Sequence, residues 1–273
     1  MLINSLAKKL FRVLARVIPQ CGMVSQAVAF NMFLAFFPIL LLALGLVSSF
    51  LGGTSGKEPA RLSAILPPGS WQLASEFLLH NQGNALRWVI LGWAGTLLVG
   101  SQVMKLIMEG IHLIYGDRER HSFLGRQLRG MLLFCVTILA WLMAVVLSIF
   151  SRPLRQWMTL GLGQTAFVRG FWSVMLPVAG LILAMLVLAL IYRFARPGAT
   201  TWRSVLPGAS AATILWWCLT LLSGVYIRKM QFGLPYGALA AVIGLMVWME
   251  ISAMIVFLGA AWNAESTVAA SLP

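Results

Sequence analysis

Residues Val28 to Phe50 read VAFNMFLAFFPILLLALGLVSSF, without a single charged side chain. A helix needs about 20 mostly apolar residues to cross the hydrocarbon core of a bilayer, and this stretch supplies them. Gly52-Gly53 and Gly56 stop it. Pro38 lies inside it, which is tolerated where neighbouring helices or side chains satisfy the freed carbonyl, and which predicts a kink.

Five further segments have the same character. They are Trp88 to Met108, charged only at Lys105; Gly130 to Phe150; Phe171 to Tyr192; Leu206 to Ile227; and Gly237 to Trp262, which contains Glu250. Arg152-Pro153 follows the third, and Arg193, Arg196 and Pro197 follow the fourth. Trp88, Trp157, Trp172, Trp202 and Trp262 fall near the ends, where an indole prefers the headgroup level.

The whole chain agrees with this pattern. It has 273 residues, 60% hydrophobic and 10% charged. A soluble domain carries about 25% charged residues, so too little polar side chain is present to cover a globule in water. Disorder is excluded because disordered chains are poor in apolar residues. The expected fold is all-α: a polytopic integral membrane protein with six transmembrane helices.

Residues before the first span form a different kind of helix. Positions 6, 10, 13, 14 and 17 are apolar at helical spacing, while Lys8, Lys9, Arg12 and Arg16 fill much of the other face. A basic amphipathic helix on the membrane surface is expected over 1–27. No small-residue cleavage site follows a short apolar core, so it does not read as a signal peptide. The connector 51–87 carries apolar Leu62, Ile65 and Leu66, a turn at Pro67-Pro68-Gly69, and Ser70 as the cap of a second apolar helix. It predicts a short helical hairpin at about 57–82 on the outer surface. Residues 28–262 form one domain, and 263–273 a short tail.

The basic residues orient the chain. With the N-terminus cytoplasmic, Lys8, Lys9, Arg12, Arg16, Lys105, Arg118, Arg120, Arg126, Arg129, Arg193, Arg196 and Arg203 lie inside, twelve in all. Eight lie outside: Lys57, Arg61, Arg87, Arg152, Arg155, Arg169, Arg228 and Lys229. Six spans then put both termini in the cytoplasm. The net charge of +13 is spread in small groups between apolar runs, which suits anionic lipid heads and not nucleic acid.

Enzyme chemistry finds little support. HExxH, Walker and GxSxG motifs are missing, as is a clustered set of carboxylates. Cys21, Cys135 and Cys218 lie far apart, and His80, His112 and His121 are scattered, so neither a disulfide framework nor a metal site is expected. No cofactor is implied.

Two polar features remain. Glu250 sits near the middle of the last span, where a carboxylate costs roughly 2.5 kcal/mol or more. It is either a proton- or ligand-coupling group in a polar pathway or a neutral acid hydrogen-bonded to a neighbouring helix. Ser101, Lys105, Glu109 and His112 recur at spacings of four, four and three and share one helix face. They form either the inner mouth of a conduit, with a Lys105–Glu109 pair, or a solvated helix end. Small residues at Gly233, Gly237 and Ala241, at Ala240 and Gly244, and from Gly208 to Thr213 make the fifth and sixth spans packing partners. A homo-oligomer stays open.

Several of these residues carry a resemblance. Ala27 to Phe30 with Phe36-Phe37-Pro38-Ile39, His112 to Gly116, Trp202-Arg203 with Pro207-Gly208-Ala209, Tyr236 to Leu239, and Leu258-Gly259-Ala260 follow in the order and spacing of one pattern. From about residue 24 to 265 the chain resembles the YihY/virulence factor BrkB family of bacterial inner-membrane proteins. It departs at three places. Gly259-Ala260-Ala261 replaces a usual Gly-Ala-Glu, Glu250 replaces a common aromatic, and His112 stands for asparagine.

The resemblance implies a bacterial plasma-membrane protein linked to envelope integrity, with transport or export of a lipid or small metabolite. Members have also carried the label ribonuclease BN, against which the missing catalytic set argues. The expected function is therefore a transporter or exporter, with a non-transporting envelope scaffold as the alternative and a ribonuclease as the least supported reading.

Overall fold

A computed structural model describes residues 2–51, 85–116, 123–162, 166–196, 201–229 and 237–271. The described residues form six helices: α1 Leu2–Leu51, α2 Ala85–Tyr115, α3 Phe123–Leu162, α4 Ala166–Ala195, α5 Trp202–Lys229 and α6 Gly237–Ser271. Each contains a stretch long and apolar enough to cross a membrane. The expected hairpin at 57–82 lies outside the described residues.

Helices adjacent in sequence are adjacent in space, and α6 closes the ring against α1. Alpha2 also touches α6 across the interior. Neighbours run antiparallel. Along α1 and α2, Cys21 lies by Gly110 while Gly92 lies by Leu42 and Gly95 by Pro38. Along α5 and α6, Gly208 meets Gly259 while Trp216 meets Trp248. An up-down ring of six brings the first residues of α1 and the last of α6 to the same end.

Among the described residues, the packing is concentrated at that end. The core is built from Val13 to Val28 of α1, Val103 to Ile114 of α2, Leu133 of α3, Ala189 to Ala195 of α4, Val205 and Ala209 of α5, and Ala253 to Ala264 of α6. Toward the other end, α3, α5 and α6 expose Trp141, Leu142, Leu221, Leu222, Ile243 and Val247. In water such apolar surface would drive association. In a bilayer it is the surface that lipid covers, and helices associate there by close packing and interhelical hydrogen bonds.

Two boundaries differ from the sequence reading. Alpha1 is a single helix of 50 residues, so the N-terminal segment is collinear with the first span. Its apolar stripe does not lie wholly on the membrane surface, because Val13 and Val17 are fully buried in the bundle. Pro19 does not interrupt the helix. At the other terminus the helix continues past Trp262, and Asn263 and Ala264 are buried, because the inward stripe of small residues continues there.

Candidate functional site

Glu250 belongs to the stripe of α6 that faces the core. Ala253, Phe257, Ala261 and Ala264 fall within about half a helix face of it at 3.6 residues per turn. All four are buried, and Phe257 fills the space over Gly110 of α2, where a methyl group would overlap its ring. Glu250 comes one turn beyond Ala253, at the level where burial along the stripe ends. It is half-buried, and Ile243, two turns further, is exposed. Among the described residues, no hydrogen bond or ion pair meets its carboxylate.

The four polar residues of α2 separate into three settings. Ser101 is buried and donates to the carbonyl of Leu98 at 2.8 Å. Lys105 Nζ donates to Gln127 Oε1 of α3 at 2.7 Å, and Gln127 Nε2 donates to Ser101 Oγ at 3.2 Å. Gly130 permits this approach: a Cβ there would stand 2.8 Å from the Ser101 carbonyl and 2.9 Å from Lys105 Cγ. Glu109 is exposed, and the expected Lys105–Glu109 pair does not form, because the ammonium is turned across Gly130 to α3. His112 is buried at the end of α2. Its Nε2 donates to the Ala195 carbonyl at 2.7 Å, and Nδ1 is buried with no partner among the described residues.

His112 therefore caps α4, whose last carbonyls have no intrahelical donor. Arg196 lies with its guanidinium carbon 3.8 Å from the Tyr115 ring centroid, and Arg193 lies 4.5 Å from that of Trp202. Both contacts are cation–π. Gly116, at φ +69°, ends α2 in the left-handed region that a side chain rarely adopts.

Behind this layer, α4, α5 and α6 are tied together. Pro207 lies in the second turn of α5 and has no N–H to give the Arg203 carbonyl. Fully buried Asn263 of α6 bonds the backbone on either side of this proline. Its Oδ1 accepts from Gly208 N at 2.6 Å, and its Nδ2 donates to the Val205 carbonyl at 3.0 Å. Tyr192 donates its hydroxyl to the Val256 carbonyl at 2.7 Å. A side chain at Gly208 would collide with the Gly259 carbonyl, and one at Gly259 would stand 2.7 Å from the Gly208 carbonyl.

Sequence reasoning missed Asn263, Tyr192 and Gln127. Asn263 carries a sequence signal, an amide directly after Gly259-Ala260-Ala261-Trp262, but it lies just beyond the apolar run that defines the span. Three of the quoted motifs, His112 to Gly116, Trp202 to Ala209 and Leu258 to Ala260, meet at this closed end. Among the described residues no cluster of His, Cys, Asp and Glu has the makings of a metal site.

A ring of long apolar helices, tied by buried side-chain-to-backbone hydrogen bonds, defines a multi-span α-helical membrane protein. The family model for virulence factor BrkB matches residues 19–271, and the chain belongs to that family. It is similar to the ribonuclease-like protein YfkH of Bacillus subtilis (strain 168), with 23% identity over 244 residues and 88% of each chain covered. No solved structure matches it.

Proposed function

We propose that the protein is a transporter or exporter of a lipid or small metabolite in a bacterial plasma membrane, contributes to envelope integrity, and is not an enzyme. Both termini are proposed to be cytoplasmic, on the distribution of Lys and Arg. The observation that carries the transport reading is Glu250. An acid within a membrane-spanning helix, on the stripe that faces the core, is costly unless it serves a pathway or finds a partner. No described residue partners it. Among the described residues, the bundle is closely packed between Glu250 and the end bearing the termini and less buried on the other side. A group that takes up a proton or a cationic part of a substrate fits that position.

The test uses Glu250→Gln and Glu250→Leu in cells, with lipids and metabolites compared on the two sides of the membrane. Both variants should reach the membrane at normal levels. Deletion of the gene should shift at least one lipid or metabolite pool, and both variants should reproduce that shift. Wild-type behaviour in both would remove Glu250 from the mechanism. No shift on deletion would leave the scaffold reading.

A further inference from the structure

The chain Ser101–Gln127–Lys105 is a built arrangement that neither the transport reading nor the packing requires. Lys105 is a cation inside the membrane-spanning part of α2, and the partner the structure gives it is the neutral Gln127. An ammonium has three N–H groups, and Gln127 takes one. Gln127 is itself fixed, because its amide donates to Ser101, whose hydroxyl is anchored on the Leu98 carbonyl. Lys105 is thus held in place with two N–H groups left over and no carboxylate meeting it among the described residues.

The direction and depth of the site indicate what it meets. On α2, Leu98, Gln102, Glu109 and Leu113 are exposed and form the outward stripe, and Lys105 flanks it. The ammonium therefore lies at the rim of the contact between α2 and α3, toward lipid. Gln127 is four residues after the start of α3 at Phe123, about 6 Å along the axis. Lys105 sits deeper, beside Gly130, and its stem runs toward the end bearing the termini, as long basic side chains do when they reach for the headgroup level. The N-terminus of α3, with the positive end of its dipole, lies at the same level, and Arg126 and Arg129 follow in its first two turns. Phe123, Leu124 and Leu128 of α3 are exposed beside it, an apolar surface for acyl chains.

We infer that the surface where α2 meets α3 binds the phosphate of a membrane lipid, with Lys105 as the principal ligand and Gln127 as the residue that positions it. The site is independent of the transport reading. Glu109, exposed one turn nearer the end of α2, opposes the anion and sets a limit on affinity.

The test is native mass spectrometry of the full chain in micelles, titrated with phosphatidylglycerol and, separately, with inorganic phosphate. Wild type should retain phosphatidylglycerol. Lys105→Met keeps the apolar stem and removes the charge, and retention should fall roughly tenfold, the effect of one charge-assisted hydrogen bond. Gln127→Leu should weaken it less, and Arg87→Met, an exposed cation at the other end of the bundle, should not change it. Glu109→Gln should tighten it. If Lys105→Met does not fold, Lys105→Gln replaces it. Unchanged retention in the Lys105 variant overturns the proposal. Equal protection by inorganic phosphate overturns the lipid as the source of the anion.

Discussion

At the scale of single residues, the two buried or half-buried asparagines of the described spans behave differently. Asn31 donates to the Ala27 carbonyl of its own helix at 2.9 Å and, among the described residues, bonds no other helix. Asn263 joins two helices through two hydrogen bonds to the backbone flanking Pro207. An interhelical hydrogen bond in a membrane protein averages about 0.6 kcal/mol and reaches about 1.7 kcal/mol. Asn263→Leu should therefore destabilise the bundle by about 1–2 kcal/mol, and Asn31→Leu should be nearly neutral. Reversible unfolding in mixed micelles measures both, and equal effects would contradict the role given to Asn263. Nothing in the sequence distinguished them, since each is one amide in an apolar run. Whether such an amide ties helices depends on the partner that the ring brings to it.

At the scale of helices, glycine is a structural requirement at some positions and not at others. Gly208 meets the Gly259 carbonyl, whereas a Cβ at Gly180, Gly224 or Gly244 would have nothing within 4 Å. Gly208→Ala should push α5 from α6 and lower thermal stability. Gly244→Ala should leave it unchanged or slightly raised, because alanine is the better helix former by about 1 kcal/mol. Comparing Tm for the two variants checks this. The six spans were legible because length and missing charge suffice to define a span. The pairing of α5 with α6 was legible in the run from Gly208 to Thr213, although Gly244, quoted for the same contact, lies exposed. The face shared by Ser101, Lys105, Glu109 and His112 was legible too, but not its division. Spacing within one helix gives the direction of a side chain, whereas Gln127 and Ala195 come from other helices.

For the whole molecule, the up-down ring makes a topological prediction. Single-cysteine variants with the thiol at Ser5, Asn81 or Ser271, in a background without native cysteines, should divide into two classes. Ser5 and Ser271 should react alike with an impermeant maleimide, and Asn81, in the segment between α1 and α2, should react oppositely. A difference between the two ends would break the arrangement. The even number of spans, and with it the shared side of the ends, could be read from the sequence. Concentration of the core of the described residues at one end could not, because apolar residues fill every span along its length and hydropathy does not separate lipid contact from protein contact.

The order of the ring bears on biogenesis. Each helix can pair with its predecessor as it leaves the ribosome, but the closing contacts wait for the last one. Phe257 over Gly110, Val256 under the Tyr192 hydroxyl and Asn263 on the start of α5 all depend on α6. Until α6 is synthesised and inserted, five helices lie side by side with an open seam between α1 and α5. A nascent chain stalled at that point would be integrated yet unlatched, and quality-control proteases of the membrane would meet it in that form.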